Sequence, residues 1–97
     1  MSFNLAAIYQ AAPGNESEVE SHLDSMLVPT RAEPGCENYQ AFRSKDDGRT
    51  FLLVERYTSE VDFEAHKNSP HFDRHIRNGV WGLLESRNVI FGEELGG

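Results

Sequence analysis

A chain of 97 residues with 16 acidic side chains, 9 basic ones and a net charge of −7 has the length of one domain, residues 1–97, burying roughly 60–65% of its unfolded surface. No cluster of Lys or Arg interrupts the negative charge, which argues against a nucleic-acid or anionic-membrane partner. The lone Cys36 has no internal disulfide partner, Met1-Ser2-Phe3-Asn4 lacks the basic and apolar regions of a signal peptide, and no stretch reaches membrane-spanning length, so a soluble cytoplasmic protein is expected.

Phe3, Leu5, Ala7 and Tyr9 alternate with Asn4, Ala6, Ile8 and Gln10 in the two-residue period of a strand, and Pro13-Gly14 stops it, giving a first strand over 3–11. Asn15 with Glu18 has the spacing of a capping box, and Val19, Leu23, Met26, Leu27 and Thr30 form one helical stripe, predicting a helix over about 16–31. Pro34 disfavours helical geometry at Glu33, and Gly35 relieves the turn that redirects the chain into a second strand, Cys36 to Arg43. Lys45 to Arg49 is a polar, glycine-containing turn before Thr50 to Thr58, dense in β-branched, aromatic and aliphatic residues; the two strands form a hairpin. Ser59 caps a short helix through about Lys67, Ser69-Pro70 starts a second one, and Phe72, Ile76, Val80, Leu83 and Leu84 line its buried side. Asn88 to Glu94 reads as a last strand and Leu95-Gly96-Gly97 as a fraying tail. The order is that of an α+β, ferredoxin-like β-α-β-β-α(α)-β domain: a four-stranded antiparallel sheet with its helices on one face.

Such a two-layer domain should alternate apolar and polar residues along each strand, because one sheet face meets water. Here the strands are apolar on both sides: Phe51, Leu53 and Tyr57 against Leu52 and Val54; Val89 and Phe91 against Ile90; Phe3, Leu5 and Tyr9 against Ala6 and Ile8. A homodimer with two sheets packed face to face would cover the second face. The other reading is that β propensity alone produced an oily monomer surface.

The chain has no phosphate loop, nucleophile elbow, thiol pair or zinc signature, which leaves histidines, a strand glutamate and phenols as candidates for chemistry. His66 lies one helical turn after Asp62, which could orient its ring for proton transfer; the plainer reading is a partly exposed helix histidine. Glu55 shares a strand face with Phe51, Leu53 and Tyr57, where ionisation is costly, so it either serves a pocket or pairs with Arg43, Arg56 or an arginine of a second subunit. His71 and His75 are four apart, a metal-binding spacing, but no third ligand is evident beyond a possible approach of His66 or Asp62, and no metal is expected. His71 could instead reach a pocket mouth with Phe72 as a wall. Tyr9, Tyr39 and Tyr57 suit either a pocket for an aromatic substrate or ordinary core packing, and Trp81 could edge such a pocket or cover a helix flank. Cys36 reads as inert strand packing.

The set Arg31-Ala32-Glu33-Pro34-Gly35-Cys36, Tyr39, Leu53-Val54-Glu55-Arg56-Tyr57, Phe63-Glu64-Ala65-His66 and Ser69-Pro70-His71-Phe72 resembles the antibiotic biosynthesis monooxygenase superfamily. That resemblance implies a dimeric α+β barrel with a pocket between sheet and helices in each subunit. It also implies a monooxygenase working without cofactor on a small quinol, phenolic or polyketide-like substrate. His66 would be the base and Tyr39 or Tyr57 a phenol donor; the family also has a glutamate at the position of Glu55, with a role that varies among members. Read from the residues, Glu55 joins them as a catalytic candidate, and Tyr57, His71, Phe72 and Trp81 are the candidate substrate contacts. The superfamily also holds heme-degrading enzymes, isomerases and members without demonstrated activity, so a non-catalytic dimeric binding or stress protein and a small-molecule isomerase are the alternatives. The heme-degrading branch fits less well, because its tryptophan precedes its histidine ligand, whereas Trp81 follows every histidine here.

Overall fold

Pairing in register builds the sheet of the computed structural model, which describes residues 2–96; Met1 of the N-terminal reading and Gly97 of the expected tail lie outside the described residues. The strands are β1 (Phe3–Ala11), β2 (Cys36–Arg43), β3 (Thr50–Tyr57) and β4 (Leu84–Gly92), with helices α1 (Glu16–Arg31) and α2 (Glu60–Lys67) between them. The sheet order is β2-β3-β1-β4 and every pair is antiparallel. This is the ferredoxin-like α+β architecture, with β1 and β3 central because each helix crosses one face between non-adjacent strands.

One sheet face is packed beneath the helices. Leu5, Ala7, Tyr9 and Ala11 of β1, Tyr39 of β2, and Phe51, Leu53, Glu55 and Tyr57 of β3 are buried there against Val19, Leu23 and Met26 of α1 and Phe63 of α2. The opposite face carries Ile8, Leu52, Val54, Phe42 and Ile90, which neighbour one another across the strands. Ile90 is 55% exposed and Phe42 48% exposed, so the expected second apolar face exists on the single chain. β4 is exposed on the helical side too, where the helices do not reach over Val89 and Phe91.

Three local expectations are corrected. Asn15 makes no side-chain cap; its side-chain amide instead donates to the Leu83 carbonyl at 3.3 Å, tying the start of α1 to the residue that precedes β4. The helix expected after Ser69-Pro70 is interrupted. Ser69 does cap a turn, accepting from the Phe72 N–H at 3.2 Å, but the chain then forms a π-helical segment (Phe72–Arg77) and a 3₁₀ turn (Val80–Leu83). The physical reason is the bond from the Asn78 N–H back to the Asp73 carbonyl, five residues away, and the break at Gly79, where a Cβ would meet the His75 carbonyl oxygen at 2.4 Å. Consequently β4 begins at Leu84, earlier than Asn88, and pairs with Ala11 past a bulge at Glu85 of β4.

Gly35 is fixed by close approach rather than by a turn angle. A Cβ there would lie 2.2 Å from Cγ and 2.4 Å from Cβ of Asp62, where the α1–β2 turn meets α2. Gly35→Ala is therefore expected to lower the unfolding free energy by about 1–3 kcal/mol. Urea denaturation checks it, and an unchanged midpoint would show that α2 moves aside freely.

Candidate functional site

The end of α2 presents Phe63 and His66 inward, because residues three apart share a helix face. His66 is only 2% exposed. Its Nδ1 lies 2.9 Å from Oε2 of Glu33, in the turn after α1, and its Nε2 lies 3.8 Å from Oε1 of Glu55 on β3. Tyr57 donates its hydroxyl to the same Glu55 oxygen at 2.6 Å. His71, just before the π-helical segment, meets the other side of Glu33, its Nε2 at 2.5 Å from Oε2. Tyr57, Glu55, His66, Glu33 and His71 thus form one continuous polar chain through the helix–sheet layer.

The chain has a direction set by what each group can do. An ionised carboxylate only accepts, so Glu33 takes hydrogen bonds from His66 Nδ1–H and His71 Nε2–H. His66 is then left with a lone pair on Nε2, facing Glu55. Burial pushes the Glu55 carboxyl up from 4.5 to about 7; the Tyr57 hydroxyl opposes that rise and the Glu33 charge adds to it. Burial also lowers the His66 pKa, partly offset by Glu33, so the imidazole is neutral near pH 7. Tyr39 and Tyr57 are held well above the usual phenol range by burial and by the Glu55 charge, and remain protonated. The Cys36 thiol is likewise raised by burial, in keeping with inert packing.

Glu55 is the member of this chain that opens into a cavity. A space of about 140 Å³ lies between the helical side of the sheet and α2, walled by Leu5, Ala7, Tyr9, Phe63, Phe72, Trp81, Val89 and Phe91 with Glu55 on its floor. Lys67 and Arg87 stand at its rim, the Arg87 guanidinium 3.6 Å from the Trp81 ring centre. The Trp81 indole N–H is buried without a hydrogen-bond partner among the described residues. Burial pushes the Tyr9 phenol up to about 12, with the Trp81 indole close enough to temper the shift. A wider depression of about 450 Å³ beside Ser2, Phe3, Ser59 and Phe91 includes neither Glu55 nor any member of the polar chain.

The structure places Glu55, Phe72 and Trp81 on the cavity wall, whereas Tyr57, expected as a substrate contact, does not line the cavity and bonds Glu55 instead. His66 stands behind Glu55 rather than on the wall, and Tyr39 packs near it with ring centres 5.7 Å apart. His71 meets Glu33 instead of the cavity mouth. Asp62 does not orient His66: it bonds the Ser59 cap of α2, and Glu33 takes that role. Among the described residues of this chain no arginine pairs with Glu55; Arg43 bonds Glu20 and Arg56 bonds Glu37 and Glu94. His71 and His75, whose spacing alone would allow a shared ion, part company, for His75 faces His22 with their Nδ1 atoms 3.0 Å apart. Sequence reasoning missed Glu33 as a site residue, because its partners are more than thirty positions away, and missed Arg87 as a cavity residue; of the three tyrosines left open between pocket and core, Tyr9 is the one on the cavity wall.

Fold and site together define a small α+β protein with a buried carboxylate–imidazole–carboxylate cluster at an apolar cavity. The sequence profile of the family described as antibiotic biosynthesis monooxygenase matches residues 2–78, and the chain belongs to that family. Rv0793 of Mycobacterium tuberculosis is 39% identical over 66 residues, 68% of this chain and 64% of that protein, so the aligned segment spans slightly less than two thirds of that relative. YcnE of Bacillus subtilis is 27% identical over 86 residues, covering 89% of this chain and 90% of YcnE. Both proteins are named provisionally as monooxygenases. The solved structure of PA3566 from Pseudomonas aeruginosa superposes with a TM-score of 0.92 at 29% identity, covering 98% of this chain and 95% of that one. That of Rv0793 superposes with a TM-score of 0.91 at 33% identity, covering 100% and 98%. Family membership supports a monooxygenase-type function. No helix is long and apolar enough to cross a membrane among the described residues.

Proposed function

We propose that the protein is a cofactor-independent monooxygenase of small quinols or phenols, with Glu55 as the group that takes the substrate proton. The observation that carries this reading is a carboxyl with a pKa of about 7 on the floor of an otherwise apolar cavity, backed by a neutral imidazole. Dioxygen in its ground state accepts electrons singly, so a substrate without flavin or metal must first become an electron-rich anion. A base near neutrality inside a water-poor cavity favours that anion. A quinol and dioxygen give a hydroxyquinone and water with all electrons drawn from the substrate, so no external reductant is required. His66 accepts the proton from Glu55 at Nε2, and Glu33 stabilises the imidazolium through Nδ1, the division of labour by which a carboxylate orients a catalytic histidine. Tyr57 holds Glu55 in place, and the Trp81 N–H, beside the Tyr9 hydroxyl, offers a donor to a substrate oxygen. The cavity volume suits a substrate of about one aromatic ring.

The test is oxygen uptake by the protein, kept in a metal chelator, with a panel of one- and two-ring reduced quinols. Acceleration over buffer that is lost in His66→Ala supports the reading. No acceleration with any quinol defeats it, and saturable binding of the same compounds without turnover would instead establish the non-catalytic alternative.

The same proposal includes a symmetric dimer through the outer sheet face, since Ile8, Phe42, Leu52, Val54 and Ile90 form a continuous apolar surface that the protein's own helices leave open. Ile90→Asp is expected to convert the dimer to monomers in sedimentation at micromolar concentration. A wild-type protein that sediments as a monomer there refutes the dimer.

A further inference from the structure

Glu33, His66 and His71 come from three separate segments, yet one donor atom from each lies within 4.8 Å of the other two. Two imidazole nitrogens and a carboxylate oxygen match the donor preference of zinc and its neighbours among the late first-row divalent ions. Bonds of ~2.0–2.1 Å to a central ion require donors about 3.3 Å apart in a tetrahedron, so small side-chain rotations suffice to open the present contacts. Charge favours the exchange. Glu33 now shares its carboxylate between two imidazole N–H groups, and a divalent ion would replace both protons at one point.

We propose that Glu33 Oε2, His66 Nδ1 and His71 Nε2 form a binding site for a zinc-class divalent ion. The groups of an outer shell stand nearby. A metal on His66 Nδ1 leaves the ring proton on Nε2, 3.8 Å from Glu55, whose oxygen also accepts from Tyr57; a carboxylate behind the distal nitrogen is the usual support of a ligating histidine. Glu33 and His71 side chains are 16% and 18% exposed, giving an entry path and room for water to complete the coordination. Because none of the three ligands lines the cavity, the ion would not touch substrate. It would clamp the α1–β2 turn to α2 and to the segment that follows, and by occupying Nδ1 it would remove the lone pair through which His66 accepts a proton from Glu55.

The experiment needs no substrate. Metal-free protein is titrated with Zn²⁺ against a chromophoric chelator, and with Co²⁺ as an optical reporter of coordination geometry. One equivalent binding with a micromolar or tighter Kd is expected, with a four-coordinate Co²⁺ spectrum. Loss of one of three ligands should weaken it at least ~10-fold in His71→Ala, whose partly exposed site keeps the fold, and in Glu33→Gln; thermal melting of the metal-free variants verifies folding. His22→Ala, at the separate His22–His75 contact, should bind as wild type. Weaker than ~100 μM binding by wild type, or a site that survives His71→Ala and Glu33→Gln but disappears in His22→Ala, overturns the proposal. Failure of the quinol assay leaves this result untouched, since it reads the ion alone.

Discussion

Glu55→Gln is expected to lower quinol-dependent oxygen uptake by about 10²–10⁴-fold, the usual contribution of a positioned general base, with little change in substrate affinity. Glutamine keeps the volume of the side chain and can still accept from the Tyr57 hydroxyl, so the cavity is preserved while the proton acceptor is removed. In the wild type the rate should rise with pH through about 7, where Glu55 loses its proton, and level off above it. Removing the nearby negative charge with Glu33→Gln should move that limb to lower pH, because the Glu33 charge is one of the factors raising the Glu55 pKa. An unchanged rate in Glu55→Gln would leave proton removal to another group and sink the mechanism.

The second large effect is on stability and reads the same residue without any substrate. Glu55 has a native pKa of about 7 against 4.5 when unfolded. Below 4.5 both states are protonated and the group makes no difference. Between these values the unfolded chain releases the proton and the native one retains it, so stability falls as pH rises, by on the order of 3 kcal/mol once pH exceeds 7. His66 works in the opposite sense. Its lowered pKa means that the unfolded state holds more protons just below 6.5, so its contribution recovers as pH rises through that range. The difference between wild type and Glu55→Gln isolates the glutamate. Urea unfolding at a series of pH values should show the variant gaining on the wild type from pH 5 to 8, and parallel curves would show that Glu55 ionises freely in the fold.

Much of the frame was legible because local patterns and tertiary packing agree. The two-residue alternation from Phe3, the stripe Val19-Leu23-Met26-Thr30 and the turn at Lys45 to Arg49 each give the observed element, and Ser59 caps α2 as its residue type and place predict. The segment after Ser69 failed because its apolar positions fit a helix, whereas the backbone clash that a side chain at position 79 would make, and the wide turn at Asp73 to Asn78, depend on contacts no periodicity expresses. For the site, Glu55 was readable as a charge on an apolar strand face, and within the chain both candidate arginines are engaged on other carboxylates while Glu55 lines the cavity.

What the sequence by itself determined is which side chains each strand and helix turns inward, since a period of two or 3.6 is a property of the local backbone. It therefore placed Glu55 and Tyr57 on one face and made His66 a candidate for the base. The tertiary structure alone decided who meets whom: Glu33 rather than Asp62 on His66, Glu55 rather than His66 on the cavity floor, and His71 on Glu33. These contacts join segments up to 38 positions apart. Their distances are set by how the helices settle on the sheet, and the desolvation that lifts Glu55 toward neutrality exists only once that layer has closed over it.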